Sequence, residues 1–367
     1  MQRPIHSLAL GTILLVLSIL ASLAAGRSAH GQTVAPYAIR NLGLAGAEMS
    51  TAQGLNNSDV AVGYVNRSGA FAYEFFRAAV YASGGVSGAG VLVGYIGTDA
   101  YAINDAGQSV GWAIRDLGVF PGPTQTRAVL FVHDTAHDLG ALPGGSNSTA
   151  YGINALGVAV GFSDTNASNV ALNPTHAALF ANGKVTDLGT LPGGMASAAY
   201  GINSAGTAVG SSFDPSDTER AVQFAGGKVT PLGLRPGDLA SHANAINEQG
   251  QAVGWSAPRS GISHAVMFEG GQVADLGVLP RGTYSIATAI NNFGQVVGYG
   301  DTGDGTVHGL LFQNGQVLDL GTLSGGRSSA VYAINDRGDM AGVGDDGDGN
   351  EYAVMWTLAH RFIGPIK

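Results

Sequence analysis

Cysteine is absent from the 367 residues, and only 12% of the residues are charged. Without cysteine the chain forms no disulfide bond and carries no lipid on a cysteine, so its core must be large enough to hold the fold, as a chain of this length allows. Only three lysines occur, at 184, 228 and 367, and the net charge is −9. Phosphate binding depends on Lys and Arg, so we expect no nucleic-acid partner.

Glycine is abundant, with 58 residues, while hydrophobic residues still make up 45% of the chain. A disordered chain would have fewer hydrophobic residues. Many glycines combined with many apolar residues favour an all-β protein with many turns.

The first 31 residues have the pattern of a signal peptide. Arg3 supplies a positive start, residues 8–25 are almost wholly apolar, and the small residues Ala29 and Gly31 follow. We therefore expect a secreted, periplasmic or extracellular protein with one domain over residues 32–367. The apolar stretch is long enough that a retained membrane anchor is the alternative if the leader is not cleaved.

One landmark recurs seven times: an Asn, two variable residues, a Gly or Asp, and a Val-Gly or Ala-Gly pair two residues later. The copies begin at Asn56, Asn104, Asn154, Asn203, Asn247, Asn291 and Asn335, with spacings of 48, 50, 49, 44, 44 and 44 residues. Repeats of about 40 to 50 residues are typical of four-stranded propeller blades rather than of solenoid coils.

Within residues 197–232 the pattern predicts four short strands, at 197–203, 207–212, 220–224 and 228–232. Asn203 and Gly206 fit the ends of a type I turn between the first two strands, so Gly206 is expected to have a positive φ. Alanines recur in the first strand, as at Ala199, which we interpret as a response to crowding where seven inner strands converge on an axis. The sequence therefore predicts a seven-bladed β-propeller of four-stranded antiparallel blades.

The last repeat lacks a fourth strand, and a matching strand stands alone near the start of the chain. Residues 329–335, 340–343 and 352–356 supply three strands of the last blade, whereas Tyr37–Gly43 resembles the fourth strand of other copies. This division predicts a ring closed by the N-terminal strand, because closure removes exposed sheet edges.

The string Asp187-Leu188-Gly189-Thr190-Leu191-Pro192-Gly193-Gly194, followed by Ser197 and the landmark at Asn203, resembles the HAF-repeat family, probable extracellular repeat proteins named after a His-Ala-Phe triplet. The triplet differs here, for example as His176-Ala177-Ala178, and Arg replaces its His at 77, 127 and 220. The resemblance covers nearly the whole mature chain and implies no particular reaction.

Two kinds of side chain recur once per blade. A His or Arg opens the third strand in six copies, and we interpret it as a hydrogen-bond donor to an Asp of the fourth strand, such as Asp187, rather than as a catalytic or metal-binding ring. An aromatic residue follows Val-Gly at Tyr64, Trp112, Phe162, Trp255 and Tyr299. Packing between blades is the favoured interpretation of these aromatics, and stacking on sugars is the alternative.

Two acidic loops suggest a weak calcium site. Asp346, Asp348 and Asn350 alternate as oxygen ligands do around Ca²⁺, and Asp301 and Asp304 occupy the equivalent loop one blade earlier. The EF-hand pattern is incomplete, because Glu351 stands where its Gly is expected and Thr357 where its Glu is expected. A solvated turn is the alternative, and we expect no other cofactor.

Motifs of the common enzyme classes are missing, and most titratable residues stand at repeating positions or in the acidic loops. The sequence therefore favours a monomeric, non-catalytic binding or scaffold module. Its protein or glycan ligand is expected at the face formed by the connections after strands two and four, which vary most. A propeller hydrolase or lyase acting on extracellular polysaccharide is the alternative.

Overall fold

The computed structural model describes residues 37–44, 46–66, 76–83, 85–117, 124–165 and 174–359. The leader, residues 1–31, lies outside this range. The secondary structure of the described residues consists of 28 strands. Within these residues no helix is long and apolar enough to cross a membrane.

The strands form seven four-stranded antiparallel sheets, which are the blades. Blade 1 contains β2 (Met49–Leu55), β3 (Ala61–Asn66), β4 (Phe76–Ala82) and β5 (Gly85–Gly88), and blade 2 contains β6 (Gly97–Ile103), β7 (Ser109–Asp116), β8 (Thr124–Val132) and β9 (Thr135–Gly140). Blade 3 contains β10 (Ser148–Ile153), β11 (Ala159–Asp164), β12 (Thr175–Ala181) and β13 (Lys184–Gly189). Blade 4 contains β14 (Ser197–Ile202), β15 (Ala208–Phe213), β16 (Glu219–Ala225) and β17 (Lys228–Pro231).

The remaining blades follow the same plan. Blade 5 contains β18 (Ala240–Ile246), β19 (Ala252–Ala257), β20 (His264–Glu269) and β21 (Gln272–Gly277), and blade 6 contains β22 (Ser285–Ile290), β23 (Val296–Asp301), β24 (Val307–Gln313) and β25 (Gln316–Asp319). Blade 7 contains β26 (Ser329–Ile334), β27 (Met340–Asp345), β28 (Glu351–Leu358) and, as its outer strand, β1 (Tyr37–Asn41).

The first strand of each blade is the inner one. Each first strand contacts the first strands of both neighbouring blades, and β2 contacts β26. These contacts arrange the inner strands in a closed circle around an axis. The seven-bladed propeller predicted from the repeat spacing is therefore confirmed.

The N-terminal strand closes the ring. Tyr37–Asn41 pairs antiparallel with Val354–Leu358, and Tyr37 is opposite Leu358. Ile39 packs against the buried cluster that contains Trp356, so the pairing has an apolar contact as well as main-chain hydrogen bonds. The prediction that a strand near the start of the chain supplies the fourth strand of the last blade is confirmed.

A closed circle of asparagine side chains joins the blades at the end of the disc with the tight turns. In each landmark the Asn Oδ1 accepts backbone N–H groups of its own turn, while Nδ2 donates to the main-chain oxygen of the next landmark Asn at 3.0–3.3 Å. The bond from Asn335 to the oxygen of Asn56 completes the circle. The landmark is thus both a turn signal and the joint between blades.

The other half of each blade interface is held by a hydroxyl on the inner strand. It accepts a backbone N–H from the third strand of the preceding blade at 2.8–3.0 Å. The seven residues are Ser50, Thr98, Ser148, Ser197, Ser241, Ser285 and Ser329. The six serines also donate to the oxygen of a Gly at the end of the fourth strand of the preceding blade or two residues after it. Polar contacts therefore fix the spacing of the blades, while apolar residues such as Val209, which is fully buried, fill the space between them.

Each inner strand carries a β-bulge at the same place, three residues before the landmark Asn. The bulge explains why the residue after Val in each Val-Gly pair is a glycine. A Cβ at Gly210 would lie 2.0 Å from the main-chain oxygen of Ala198 on the bulged strand, and the other copies are equally close. Only glycine permits this approach of two backbones. Gly206, in the landmark turn, has φ of +78°, as predicted.

We predict that Asn154→Ala destabilises the protein by about 2 to 4 kcal/mol, because buried donors and acceptors lose their partners. Asn154→Asp keeps the Oδ1 acceptor for the turn but replaces the donor toward Asn203 with a second acceptor. If the hydrogen bonds between blades stabilise the ring, both variants should lower the urea concentration at the midpoint of unfolding. A midpoint that falls for Asn154→Ala alone would limit the role of Asn154 to its own turn.

Deletion of residues 37–42 should expose the edge of β28 and promote self-association, since an unpaired strand pairs with other chains. Sedimentation velocity over a range of concentrations measures this. Arg40→Ala, which keeps the strand, is the control and should sediment as the parent protein does. A deletion variant that stays monomeric and stable would show that β1 is dispensable for closure.

Candidate functional site

The predicted ion pairs with fourth-strand aspartates are present in four blades, 2, 3, 5 and 6. His176, His264 and His308 contact Asp187, Asp275 and Asp319 through Nδ1 at 2.8–3.0 Å, and Arg127 lies 3.8 Å from Asp138. Arg220 differs, because it pairs with Asp214 in the loop before its strand. Arg77 also differs, because it donates to the main-chain oxygens of Phe76 and Ile96. The pairs of Arg127 and of the three histidines join the third and fourth strands of single blades, as the sequence interpretation held.

The carboxylates of the acidic loops accept hydrogen bonds from nearby main-chain N–H and hydroxyl groups. Asp301 Oδ1 accepts the N–H groups of Thr283 and Tyr284 at 2.6 and 2.8 Å, and Asp304 accepts the hydroxyl groups of two threonines in its own loop. Each carboxylate therefore already has protein donors.

Asp346 is likewise occupied within its own loop. It accepts from the side chain of Asn350 at 2.8 Å, from the N–H of Asp348 and from the hydroxyl of Tyr352. Its hydrogen bonds, led by that of Asn350, hold the pKa of Asp346 at about 2. In the described part of the chain no three His, Cys, Asp or Glu residues are grouped so as to hold a metal ion. The calcium site stays a prediction.

The bulge residues form a set that the sequence interpretation missed. Each is half-buried between mostly buried neighbours of the innermost strand, so its side chain reaches toward the axis. We call these seven the axial side chains: Gln53, Tyr101, Tyr151, Tyr200, Asn244, Thr288 and Tyr332. The inner strands do contain small residues, as expected, but those alanines pack between blades and large polar aromatics face the axis.

Three tyrosines and a histidine form a continuous row on successive inner strands. The ring centroids of Tyr101 and Tyr151 are 5.2 Å apart, those of Tyr151 and Tyr200 4.9 Å, and those of Tyr200 and His242 4.6 Å. His242 also stacks on Trp255 at 5.7 Å. Aromatic faces thus cover one side of the axial opening, across blades 2 to 5.

Three further positions surround the axial side chains at the end of the disc that carries the variable loops. The aromatics after Val-Gly occupy one of them, and Tyr64, Trp112, Phe162 and Tyr299 are buried there, which confirms packing as their main role. Trp255 is half-buried. The other two positions are five residues before the landmark Asn and at the start of the third strand.

Four of these positions carry ionisable groups that do not repeat. Asp99 and His242 lie on inner strands, five residues before the landmark Asn, and Glu219 and Glu351 begin the third strands of blades 4 and 7. The expectation that most titratable residues stand at repeating positions therefore missed these four. Alignment of the repeats at the landmark Asn would have exposed them as outliers.

Asp99 is only 4% exposed, and Gln53 Nε2 lies 3.2 and 3.1 Å from its two carboxyl oxygens. Burial raises the pKa of Asp99 to about 7, against the opposing effect of the hydrogen bond from Gln53. Burial and the charge of Asp345 raise the pKa of Glu351 to about 7. Both groups therefore stay protonated at pH values at which exposed carboxyl groups are already ionised.

Glu219 and His242 form a pair between blades 4 and 5, with His242 Nδ1 2.8 Å from Glu219 Oε1. Burial would raise the pKa of Glu219, but the charge and hydrogen bond of His242 outweigh it and hold that pKa below its ordinary value. A carboxylate only accepts, so Nδ1 of His242 carries a proton in this contact.

Comparisons with known proteins assign no family to this chain. No family model and no curated protein matches the chain. Similar solved structures include TolB from Acinetobacter baumannii (11% identity, TM-score 0.43, 68% of this chain and 63% of TolB). A puromycin hydrolase S511A mutant complexed with PGG is 13% identical with a TM-score of 0.49, over 78% of this chain and 47% of the hydrolase.

The BP39L lectin from Burkholderia pseudomallei is 10% identical with a TM-score of 0.46, and the match covers 89% of this chain and 96% of the lectin. The chain spans less than two thirds of TolB and about half of the hydrolase. At such low identity these structures assign neither a ligand nor an activity to this chain.

Asp99→Asn should stabilise the protein at high pH. Because the pKa of Asp99 is raised in the folded state, the unfolded chain loses the Asp99 proton at a lower pH than the folded protein does. The free energy of unfolding therefore falls as the pH rises from about 4 to 7. We expect Asp99→Asn to gain on the order of 2 to 4 kcal/mol at pH 8 and almost nothing below pH 4. Urea unfolding at several pH values measures the difference.

The matched control is Asp134→Asn, because Asp134 is exposed in the turn between β8 and β9 and has φ of +61°, which asparagine also tolerates. This variant should follow the parent protein at every pH. An Asp99→Asn effect of equal size at pH 4 and pH 8 would contradict the raised pKa.

Proposed function

We propose that the protein is a non-catalytic binding module that acts outside the cytoplasm and binds a glycan at the axial opening on the variable-loop end. The observation that carries the proposal is the row from Tyr101 to His242. It combines aromatic faces with hydroxyl and imidazole groups at the surface of a rigid ring.

Glycans offer two kinds of surface, apolar patches of ring C–H groups and polar hydroxyls. Aromatic side chains pack against the former, and fixed polar groups such as Gln53 and Asn244 bind the latter, a combination typical of ligand sites. The amide of Asn244 is held by a hydrogen bond to the oxygen of Ala287 at 2.8 Å, and Thr288 donates to the oxygen of Val331 at 2.7 Å. Such groups are already oriented, which lowers the entropy cost of binding.

A hydrolase or lyase acting on polysaccharide is the second candidate, and the His242–Glu219 pair favours it. A histidine oriented by a carboxylate is the usual form of a general base. This candidate requires bond cleavage, which reducing-end and unsaturated-product assays detect. Cleavage that is lost in His242→Gln would replace the binding proposal.

Tyr200→Ala should weaken binding about tenfold, which corresponds to roughly 1.4 kcal/mol for the loss of one aromatic contact. The measurement is a glycan array followed by calorimetry with the glycan that binds best. Phe293→Ala is the control, because Phe293 is 75% exposed in a tight turn at the opposite end of the disc. A glycan that binds Tyr200→Ala as well as the parent protein, or no binding to any glycan, would refute the proposal.

A further inference from the structure

The axial side chains differ in how far they reach toward the axis. Four of the seven blades carry a tyrosine at this position, whereas blades 5 and 6 carry the shorter Asn244 and Thr288. Asn244 Nδ2 donates to the main-chain oxygen of Ala287 at 2.8 Å, and Thr288 Oγ1 lies 2.7 Å from that of Val331. These hydrogen bonds tie both side chains to the inner strand of the next blade, along the wall of the opening. More room is therefore left beside blades 5 and 6 than beside the tyrosines.

The aromatic row ends where this wider part of the opening begins. The ring centroids of Tyr200 and His242 are 4.6 Å apart, and His242 stacks on Trp255 with an interplanar angle of 9°. Trp255 is half-buried, whereas the other four aromatics after Val-Gly are buried. Asn244 follows His242 by two residues on β18. A ligand group at this place therefore meets aromatic rings on one side and hydrogen-bonding groups on the other.

The axial side chains lie inside the ring rather than at its rim. Tyr200 is three residues from Ser197, where β14 begins at the variable-loop end, so the rise of a strand places Tyr200 about 10 Å below that end. Asn244 is likewise three residues from Ser241. Each inner strand contacts the inner strands of both neighbouring blades, so the wall around these side chains is closed. A linear polymer can enter such a space by an end or a side branch, whereas its interior units cannot.

We propose that the ligand of the axial opening is the terminal sugar of a glycan chain, bound end-on beside Asn244 and Thr288. This inference rests on the proposed function and narrows its ligand to chain ends and branches. The apolar face of the sugar packs against the row that ends at Trp255, and its hydroxyl groups reach Asn244. The bond to Ala287 uses one N–H of the Asn244 amide, which can also donate through its second N–H and accept through Oδ1.

Asn244→Tyr and Thr288→Tyr test the space itself. Each gives its blade the side chain that four other blades carry at this position, so the fold should tolerate it, which urea unfolding checks. The probes are glucose, N-acetylglucosamine and galacturonate oligomers of six units and the glycan that binds best on an array. We expect each variant to bind at least about tenfold more weakly than the parent protein, because the phenol fills the space. Asn244→Ala, which keeps the space, should lose only a few-fold.

Leu156→Tyr is the matched control. Leu156 is 73% exposed in the landmark turn of blade 3, at the opposite end of the disc, and blade 6 carries the aromatic Phe293 at the same place. This variant adds the same side chain away from the opening, so it should bind as the parent protein does.

A second measurement needs only the parent protein. Calorimetry gives the number of protein molecules bound per glycan chain, for the linear oligomer that binds best and for a fraction of the same glycan several times longer. End-on binding predicts one protein per chain at both lengths. Binding to interior units predicts a ratio that rises with chain length.

The outcomes separate the two proposals. A ratio that rises with chain length, or a folded Tyr variant that binds as well as the parent protein, would overturn end-on binding and leave glycan binding standing. A ratio of one at both lengths and weaker binding by both Tyr variants support end-on binding. Absence of binding by every oligomer and by the whole array would overturn glycan binding and, with it, the inference.

Discussion

Seven asparagine side chains join each blade of the ring to the next, and the rest of the structure depends on these joints. Each Asn fixes its own turn through Oδ1 and reaches the following blade through Nδ2, so a local turn and a long-range contact are formed by one residue. Without disulfides, the ring is held by these hydrogen bonds, by the inner-strand hydroxyls and by apolar packing between blades. Because Asn335 bonds to Asn56, the circle has no terminal member.

Closure also determines where variation is tolerated. The glycine of each Val-Gly pair is constrained by a backbone oxygen about 2 Å from where its Cβ would lie, and the landmark turn is fixed by its own hydrogen bonds. The bulge residue, three residues before the landmark Asn, faces the axis and is not required for either contact. The chain therefore keeps a rigid frame while Gln, Tyr, Asn and Thr alternate at that position, as expected when a scaffold separates stability from recognition.

The axial opening is chemically uneven. Aromatic rings run from Tyr101 to Trp255 across blades 2 to 5, whereas the carboxyl groups of Asp99 and Glu351 border Tyr64 in blade 1. A ligand across the opening would meet stacking surfaces on one side and acceptors on the other.

The number of blades, the strand pattern and the closing strand could be read from the sequence alone, because they follow from the spacing of the landmarks and from turn residues that act locally. Gly206 and the pairing of Tyr37–Asn41 with β28 were predictable for this reason. The partners of Asp187 and its equivalents were also predictable, since they lie within one blade. The placement of Asp99, Glu219, His242 and Glu351 at the same end of the ring became visible only in the folded structure. Residues from blades 2, 4, 5 and 7 are far apart along the chain, and the bulges that turn the axial side chains inward arise only when neighbouring strands pair.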